Sequence, residues 1–281
     1  MRGLWLLLLV LTVALTARAD PVDLQLVSGL TVRAEYRPGV TDKPAVMILH
    51  GFLQTYDFPT VHRLIESLSR DGYTVLAPNL SLGVSNRRQS LACEAIHTHT
   101  MAGDIQEIDA WVNWLAHKQP RRIILIGHSF GSVHALAYLN SRPNAPISKY
   151  IGISIIETRM QKGEAERGAE LKSLQRMIRK GDKRIIARAL GYCQQFNAIP
   201  ASLASYLEWS QDRIIHTVLH LPVAGLFIMG GRDDRIGSDW LGRLRKTHIQ
   251  IKVITGANHF MDGEHEFDLH DMVTHGLQDR M

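Results

Sequence analysis

Residues 121–131 read RRIILIGHSFG, an apolar run that ends in the pattern Gly-x-Ser-x-Gly. The residues that follow, 132–140, have the composition of a helix. This order predicts a buried strand, a sharp turn carrying Ser129, and a helix. Gly127 and Gly131 have no side chain where strand and helix must pass closely, so the hydroxyl of Ser129 can be exposed on a strained turn. We therefore interpret Ser129 as a nucleophile rather than a small residue in a tight turn.

Further apolar runs on both sides of this stretch alternate with helical patterns. The predicted strands are 44–52, 73–78, 123–127, 150–156, 223–229 and 249–254. The predicted helices are 61–69, 101–117, 132–139 and 265–277. Two alternating segments, 23–27 and 30–36, flank Ser28-Gly29 and predict a hairpin. The alternation is typical of the α/β class, with a mostly parallel sheet covered by helices on both faces.

The chain between residues 157 and 221 has no strand pattern, and we expect several short helices there. It could be a long crossover helix with solvated faces, or a cap inserted over the carboxyl edge of the sheet. We favour the cap, because insertions of this length inside a compact domain usually serve a function. The predicted organisation is a core domain of 20–157 with 222–281, and a helical cap insertion at 158–221.

Residues 1–19 have the pattern of a signal peptide. Arg2 supplies a positive charge, 3–17 are uncharged and mostly apolar, and Ala17-Arg18-Ala19 is a cleavage site. The uncharged stretch is shorter than the ~20 residues that a spanning helix needs. The residue after the cleavage site is Asp20 rather than a cysteine, which disfavours lipid attachment. We expect an exported protein, periplasmic or secreted, with no stable membrane anchor.

Composition narrows the choice of partners. The formal net charge is +5 over 281 residues, and the basic residues are spread along the chain, which does not suggest nucleic-acid binding. Two groups rich in histidine lack a recognised metal-ligand spacing, so no metal is expected. The first group is Cys93, His97 and His99, and the second is His259, His265, His270 and His275.

The chain has two cysteines, Cys93 and Cys193. In an exported protein an isolated pair is a candidate disulfide, whereas in the cytosol we would expect buried thiols. Cys93 lies after the fourth predicted strand and Cys193 in the predicted cap. We hypothesise that a bond between them holds the cap against that segment and sets the width of the pocket.

The remaining groups for nucleophilic catalysis follow predicted strands. The acid is Asp233 or Asp234, and we prefer Asp233 because Ile236, three residues on, would bury the turn. The base is His259, one of 14 histidines, which lies just beyond the last strand and completes the order Ser, Asp, His. The backbone amides of Phe52 and Phe130 are the candidate oxyanion donors.

These motifs resemble those of the α/β-hydrolase-fold serine hydrolases: GHSFG at 127–131, HGF at 50–52, GANH at 256–259 and GGRDDRIG at 230–237. The resemblance runs from about Val22 to about Gly276. It implies an eight-stranded, mostly parallel sheet, a helical cap after the sixth strand, Ser129, Asp233 and His259 as triad, and no cofactor. Many relatives carry Pro-Asp-x-x-Gly-x-Gly-x-Ser where this chain has 78–85, PNLSLGVS, so the substrate branch stays open.

The expected function is that of an exported carboxylic ester hydrolase acting through an acyl-enzyme on a small-molecule ester or acyl substrate. The phenylalanines beside the oxyanion donors suggest an apolar acyl group. A serine rather than an aspartate nucleophile argues against dehalogenase and epoxide hydrolase chemistry. A thioesterase or acyltransferase with the same triad, and a hydrolase-like binding protein without turnover, are the alternatives. Oligomeric state is left open.

Overall fold

The structure is a computed structural model, and it describes residues 20–40, 42–120, 122–157, 163–237 and 239–279. The predicted signal peptide at 1–19 and the first residues of the predicted cap, 158–162, lie outside the described residues.

Eight strands of the described chain form one sheet in the order β1-β2-β4-β3-β5-β6-β9-β10. Their bounds are β1 (Asp20–Gln25), β2 (Thr31–Arg37), β3 (Ala45–Leu49), β4 (Thr74–Asn79), β5 (Ile123–His128), β6 (Ile147–Ile153), β9 (Ala224–Gly230) and β10 (Gln250–Ile254). The predicted hairpin is the antiparallel pair β1–β2, and β2 pairs antiparallel with β4. The other neighbours are parallel. The predicted mostly parallel, eight-stranded sheet is confirmed.

Alternation along the central strands divides the interior into two cores, one on each face of the sheet. Met47 and Leu125 point into one core, while their neighbours Ile48 and Ile126 point into the other. All four side chains are fully buried. Since each face holds apolar side chains, each must be covered, which is why these strands read as continuous apolar runs.

Helices cover both faces. Their bounds are α1 (Pro59–Arg70), α2 (Met101–Lys118), α3 (Phe130–Ser141), α4 (Glu164–Arg179), α5 (Pro200–Leu207), α6 (Gln211–Leu219), α7 (Trp240–Leu244) and α8 (His265–Gln278). Helices α1 and α8 supply apolar side chains to one core, and α2 and α3 to the other. None of the helices within the described ranges is long and apolar enough to cross a membrane.

The expectation of helices without strands between β6 and β9 is wrong in part. Helices α4, α5 and α6 are present, but β7 (Ile186–Leu190) and β8 (Cys193–Ala198) form an antiparallel hairpin. Leu190 pairs with Cys193 across a two-residue loop, and Gly191 in that loop has φ +58°. A glycine first in a two-residue loop is a hairpin signal that the sequence offered.

Candidate active site

Ser129 lies between β5 and α3 with φ +56°, a left-handed conformation rarely adopted by residues other than glycine. The two flanking glycines make this turn sterically feasible. A Cβ atom on Gly127 would come within 2.4 Å of the backbone of Gly131, and a Cβ on Gly131 within 2.4 Å of the carbonyl oxygen of His50. The predicted strand, turn and helix are present, and the turn places a half-buried Ser129 at the carboxyl end of β5.

Asp233 and His259 follow the adjacent parallel strands β9 and β10. Their two loops are bonded to one another, because the amide of Arg232 donates to the carbonyl of Ala257 at 2.8 Å. A Cβ atom on Gly230 would lie 2.5 Å from the carbonyl oxygen of Asn258, so these loops also pack closely. The loop that carries Asp233 and the loop that carries His259 are therefore held together.

The three candidate catalytic side chains form a continuous hydrogen-bonded chain. His259 Nε2 lies 2.9 Å from Ser129 Oγ, and His259 Nδ1 lies 2.7 Å from Asp233 Oδ2. The Asp233 side chain is fully buried and that of His259 nearly so. With a proton on Nδ1 donated to Asp233, Nε2 can accept the proton of the Ser129 hydroxyl. Asp234 is exposed and lines a neighbouring cleft instead, so the geometry favours Asp233.

His128, the residue before Ser129, contacts the backbone of the candidate base His259. Its Nε2 lies 3.3 Å from the carbonyl oxygen of His259, and its ring is stacked on Phe58. Burial lowers the pKa of His128 to about 3. A neutral His128 donates its Nε2 proton to this carbonyl and adds no positive charge beside His259.

The candidate oxyanion amides come from two loops that meet at Ser129. Phe130 is the first residue of α3, where the amide has no carbonyl partner inside the helix and the helix dipole favours a negative charge. Phe52 follows β3, and its ring packs edge-on against that of Phe130, with centroids 5.8 Å apart. Gly51 lies close to the nucleophile, since a Cβ atom on it would be 3.3 Å from Ser129 Cβ.

A small cavity of about 30 Å³ opens at Ser129 and His259. Its described lining is Phe52, Gln54, Ser129, Phe130, Ile156, Glu157, Gly191, Tyr192, Arg235, His259 and Phe260. It adjoins a wider, more polar cleft of about 840 Å³ that shares Tyr192 and Arg235 with it. Sequence reasoning did not single out Gln54, Tyr192 or Arg235. Gln54 and Tyr192 lie outside the recognised motifs, and Arg235 lies within the 230–237 motif at a position to which the motif assigns no role.

The hairpin β7–β8 forms one wall of this cavity, and several bonds hold it there. Cys93 and Cys193 form a disulfide. The Tyr192 hydroxyl donates to the carbonyl of Phe52 at 3.3 Å, and the amide of His97 donates to the carbonyl of Asn197 at 2.8 Å. The segment after β4 is thus joined to the residue beside Tyr192, as our hypothesis about the two cysteines requires.

Replacing both cysteines by serine is expected to lower the free energy of unfolding by about 2–5 kcal/mol. The bond closes a loop with a sequence separation of 100 residues, and without it the unfolded chain gains conformational freedom. Urea unfolding of the Cys93→Ser/Cys193→Ser variant measures the change, with wild type treated with reductant as the second reference. Equal unfolding midpoints for oxidised and reduced wild type would contradict the expectation.

Glu107 of α2 is a buried carboxyl beneath the segment that follows β4. Both of its oxygens lie 2.9 Å from the amide nitrogen of Ser81. Burial raises the pKa of Glu107 to about 7 from 4.5. The folded protein therefore keeps this proton at pH values where the unfolded chain has lost it, so its contribution to stability is present at low pH and is lost as the pH rises through about 7.

Glu107→Gln is expected to remove this pH dependence, because glutamine resembles the protonated carboxyl and does not ionise. The free energy of unfolding of the variant relative to wild type should rise by about 2–3 kcal/mol between pH 5 and pH 8. Urea unfolding at the two pH values measures it, with the exposed Glu94→Gln as a matched control. A difference that is the same at both pH values would show that Glu107 is ionised throughout.

The histidine groups considered for metal binding are engaged in other contacts. His97 stacks on Phe196 with ring centroids 4.0 Å apart, and His99 Nδ1 lies 2.5 Å from the Tyr206 hydroxyl. His265 and His270 pair with Asp268 and Asp71. Over the part of the chain that the structure describes, no group of three histidine, cysteine or acidic side chains is arranged to hold a metal ion.

Comparisons with known proteins identify the α/β-hydrolase fold. A family model described as alpha/beta hydrolase fold matches residues 44–214. No curated protein sequence matches the chain significantly. Among solved structures, the chain is similar to the alpha/beta hydrolase GrgF from Penicillium sp. sh18, with 16% identity, a TM-score of 0.68, and coverage of 92% of this chain and 97% of that one.

Two further structures have related folds. The monoacylglycerol lipase of Paleococcus ferrophilus shares 16% identity with a TM-score of 0.63, covering 88% of this chain and 98% of the lipase. The thioesterase domain from the curacin biosynthetic pathway shares 14% identity with a TM-score of 0.62, covering 92% of this chain and 99% of the domain. At such identities the similarity concerns the fold.

Proposed function

Because this chain belongs to the α/β-hydrolase family, we propose that it is an exported serine hydrolase that cleaves carboxylic esters through an acyl-enzyme. The observation that carries the proposal is the chain of hydrogen bonds from Ser129 through His259 to Asp233, 2.9 and 2.7 Å long. A hydrolase-like binding protein would have no need to keep this alignment, so the geometry favours turnover.

In the acylation step, Ser129 Oγ attacks the ester carbonyl while His259 Nε2 takes its proton. Asp233 stabilises the resulting imidazolium through the bond to Nδ1. The amides of Phe52 and Phe130 donate to the oxyanion of the tetrahedral intermediate. The intermediate collapses when His259 gives its proton to the leaving alcohol, which leaves the acyl group on Ser129.

In the deacylation step, His259 Nε2 takes a proton from water as the water attacks the acyl-enzyme. The same two amides stabilise the second oxyanion, and the proton returns to Ser129 as the carboxylic acid departs. No further group is required for either step. The same sequence would hydrolyse a thioester, since only the leaving group changes.

The size of the small cavity indicates that the acyl group of the substrate is short and apolar. A cavity needs roughly 10–15 Å³ to hold one water-sized group, so about 30 Å³ accommodates about two. Phe52 and Phe130 supply apolar surface beside the reacting carbon. The wider cleft, with its charged and amide side chains, then receives the alcohol part of the ester.

Turnover of p-nitrophenyl esters from acetate to decanoate tests the proposal. We expect kcat/KM to fall once the acyl chain exceeds about three carbons, because the cavity holds about two water-sized groups beyond the carbonyl carbon. We also expect a fluorophosphonate probe to label Ser129, as located by peptide mass spectrometry. Absence of both turnover and labelling would favour the binding-protein alternative. Labelling without ester turnover would redirect the assignment to thioesters or amides.

Export is part of the same proposal. The signal-peptide pattern of residues 1–19 supports it, as does the disulfide between Cys93 and Cys193, because such bonds persist mainly in oxidising compartments. Fractionation of the native host, followed by N-terminal sequencing of the mature protein, tests it. Recovery of the intact N-terminus from the cytosol would overturn it.

A further inference from the structure

Arg87 is a buried arginine in the segment after β4, only 4% exposed. Its three donor nitrogens are directed at neutral acceptors. Nε donates to the carbonyl of Leu80 at 2.6 Å, Nη1 to the carbonyl of Gln89 at 2.8 Å, and Nη2 lies 3.0 Å from Nε2 of His50. The last contact links this segment to the residue that begins the His50-Gly51-Phe52 turn.

The contacts of His50 determine which of its nitrogens carries the proton. Nε2 faces two groups that can only donate, the Arg87 guanidinium and the amide of Leu80, which is 3.1 Å away. Nε2 must therefore be unprotonated and accept both bonds. Burial, followed by the charge of Arg87, lowers the pKa of His50 well below its ordinary value. His50 is thus neutral, with its proton on Nδ1.

The proton on Nδ1 of His50 is directed at the adjacent peptide. Nδ1 donates to the carbonyl oxygen of Gly51 at 2.9 Å, and the amide of Gln54 donates to the same oxygen at 3.1 Å. The Gly51 carbonyl and the Phe52 N–H belong to one planar peptide unit and point in opposite directions. Two donors that fix the carbonyl therefore also fix the direction of the Phe52 N–H.

We propose that Arg87 is a positioning residue of the oxyanion hole, which holds His50 in its Nδ1-protonated form and thereby orients the Phe52 amide toward the reacting carbonyl. The proposal rests on the proposed function, because it concerns the oxyanion formed during hydrolysis. Its energetic logic is preorganisation, since a donor that is already aimed need not reorient as charge develops. The segment that carries Arg87 begins where this chain departs from the pattern of many relatives, at residues 78–85.

The competing explanation is that Arg87 only holds its own segment together through Leu80 and Gln89. Two variant pairs separate the explanations. Arg87→Met removes the donors and keeps much of the apolar length, and the exposed neighbouring Arg88→Met is its control. His50→Asn keeps an N–H donor where Nδ1 stands, whereas His50→Leu removes it.

For Arg87→Met we expect kcat to fall about 10- to 100-fold with KM changed less than about threefold, while Arg88→Met stays within about twofold of wild type. Loss of an oxyanion donor costs about 10²- to 10³-fold, and a misdirected donor should cost less. The affinity for a trifluoromethyl ketone, which forms an oxyanion on Ser129, should fall by the same factor as kcat/KM. His50→Asn should retain at least about tenfold more activity than His50→Leu.

Long-range ¹H–¹⁵N spectra of histidine-labelled wild type provide a readout independent of turnover, and should show His50 protonated at Nδ1 alone. A proton on Nε2, an unchanged kcat in folded Arg87→Met, or equal losses in His50→Asn and His50→Leu would each overturn the positioning role while leaving the hydrolase assignment intact. A wild type that neither hydrolyses esters nor reacts with fluorophosphonate would instead overturn the proposed function, and this role with it.

Discussion

Ser129→Ala should reduce kcat for p-nitrophenyl acetate on the order of a million-fold, with little change in KM. The hydroxyl forms the covalent bond to the acyl group, and alanine leaves His259 with no proton to take. Alanine lacks only the hydroxyl oxygen of serine, so the fold should persist. Stopped assays at high enzyme concentration, with burst-phase p-nitrophenol release as a second readout, measure the loss.

The control for Ser129→Ala is Ser90→Ala, which alters an exposed serine away from the cavity and should leave kcat unchanged. Fluorophosphonate labelling should disappear from Ser129→Ala and persist in Ser90→Ala. Residual activity above about one part in a thousand in carefully purified Ser129→Ala would mean that another group attacks the ester, and the acyl-enzyme mechanism would have to be abandoned.

Asp233→Asn should lower kcat by about ten-thousand-fold. An asparagine amide can donate to Nδ1 of His259, which favours the tautomer with its proton on Nε2, and that nitrogen then cannot accept the proton of Ser129. The substitution alters the 2.7 Å contact between Nδ1 of His259 and Oδ2 of Asp233. Activity should recover partly at high pH, where hydroxide can take the place of the missing base.

Asp234→Asn is the matched comparison for this acid, because the two aspartates are adjacent in sequence and differ in burial. The side chain of Asp233 is fully buried, whereas Asp234 is exposed and faces the wide cleft. We expect Asp234→Asn to keep kcat within about threefold of wild type. A large loss in Asp234→Asn together with near-normal activity in Asp233→Asn would reverse the assignment of the acid.

Much of the fold follows from local patterns in the sequence. Continuous apolar runs such as 123–127 predict strands buried on both faces, and the structure buries every residue of β5. The position of Ser129 follows as well, since the glycines at 127 and 131 are short-range requirements of the turn. Asp233 and His259 could be proposed because each follows a recognisable strand in a characteristic order.

The sequence pattern does not predict the β7–β8 hairpin, and the reason is physical. Strands β7 and β8 are partly exposed and carry polar side chains such as Gln194 and Gln195, so neither produces an apolar run. Their stability comes from contacts with distant segments, including the bond between Cys93 and Cys193. The contact between Arg87 and His50 could not be predicted either, because it joins residues 37 positions apart and has no short-range sequence pattern.

The candidate catalytic side chains and the hairpin wall come from separate parts of the chain, which bears on how a hydrolase of this fold can diversify. Ser129, Asp233 and His259 leave three strands of the main sheet, while the facing wall comes from a two-residue loop, Gly191 and Tyr192, held by the neighbouring disulfide. Exchange of the Tyr192 side chain would change the shape presented to an incoming ester and leave the proton-transfer geometry in place. Mutations in this loop can therefore change which substrates bind, while the sheet keeps the candidate catalytic side chains in place.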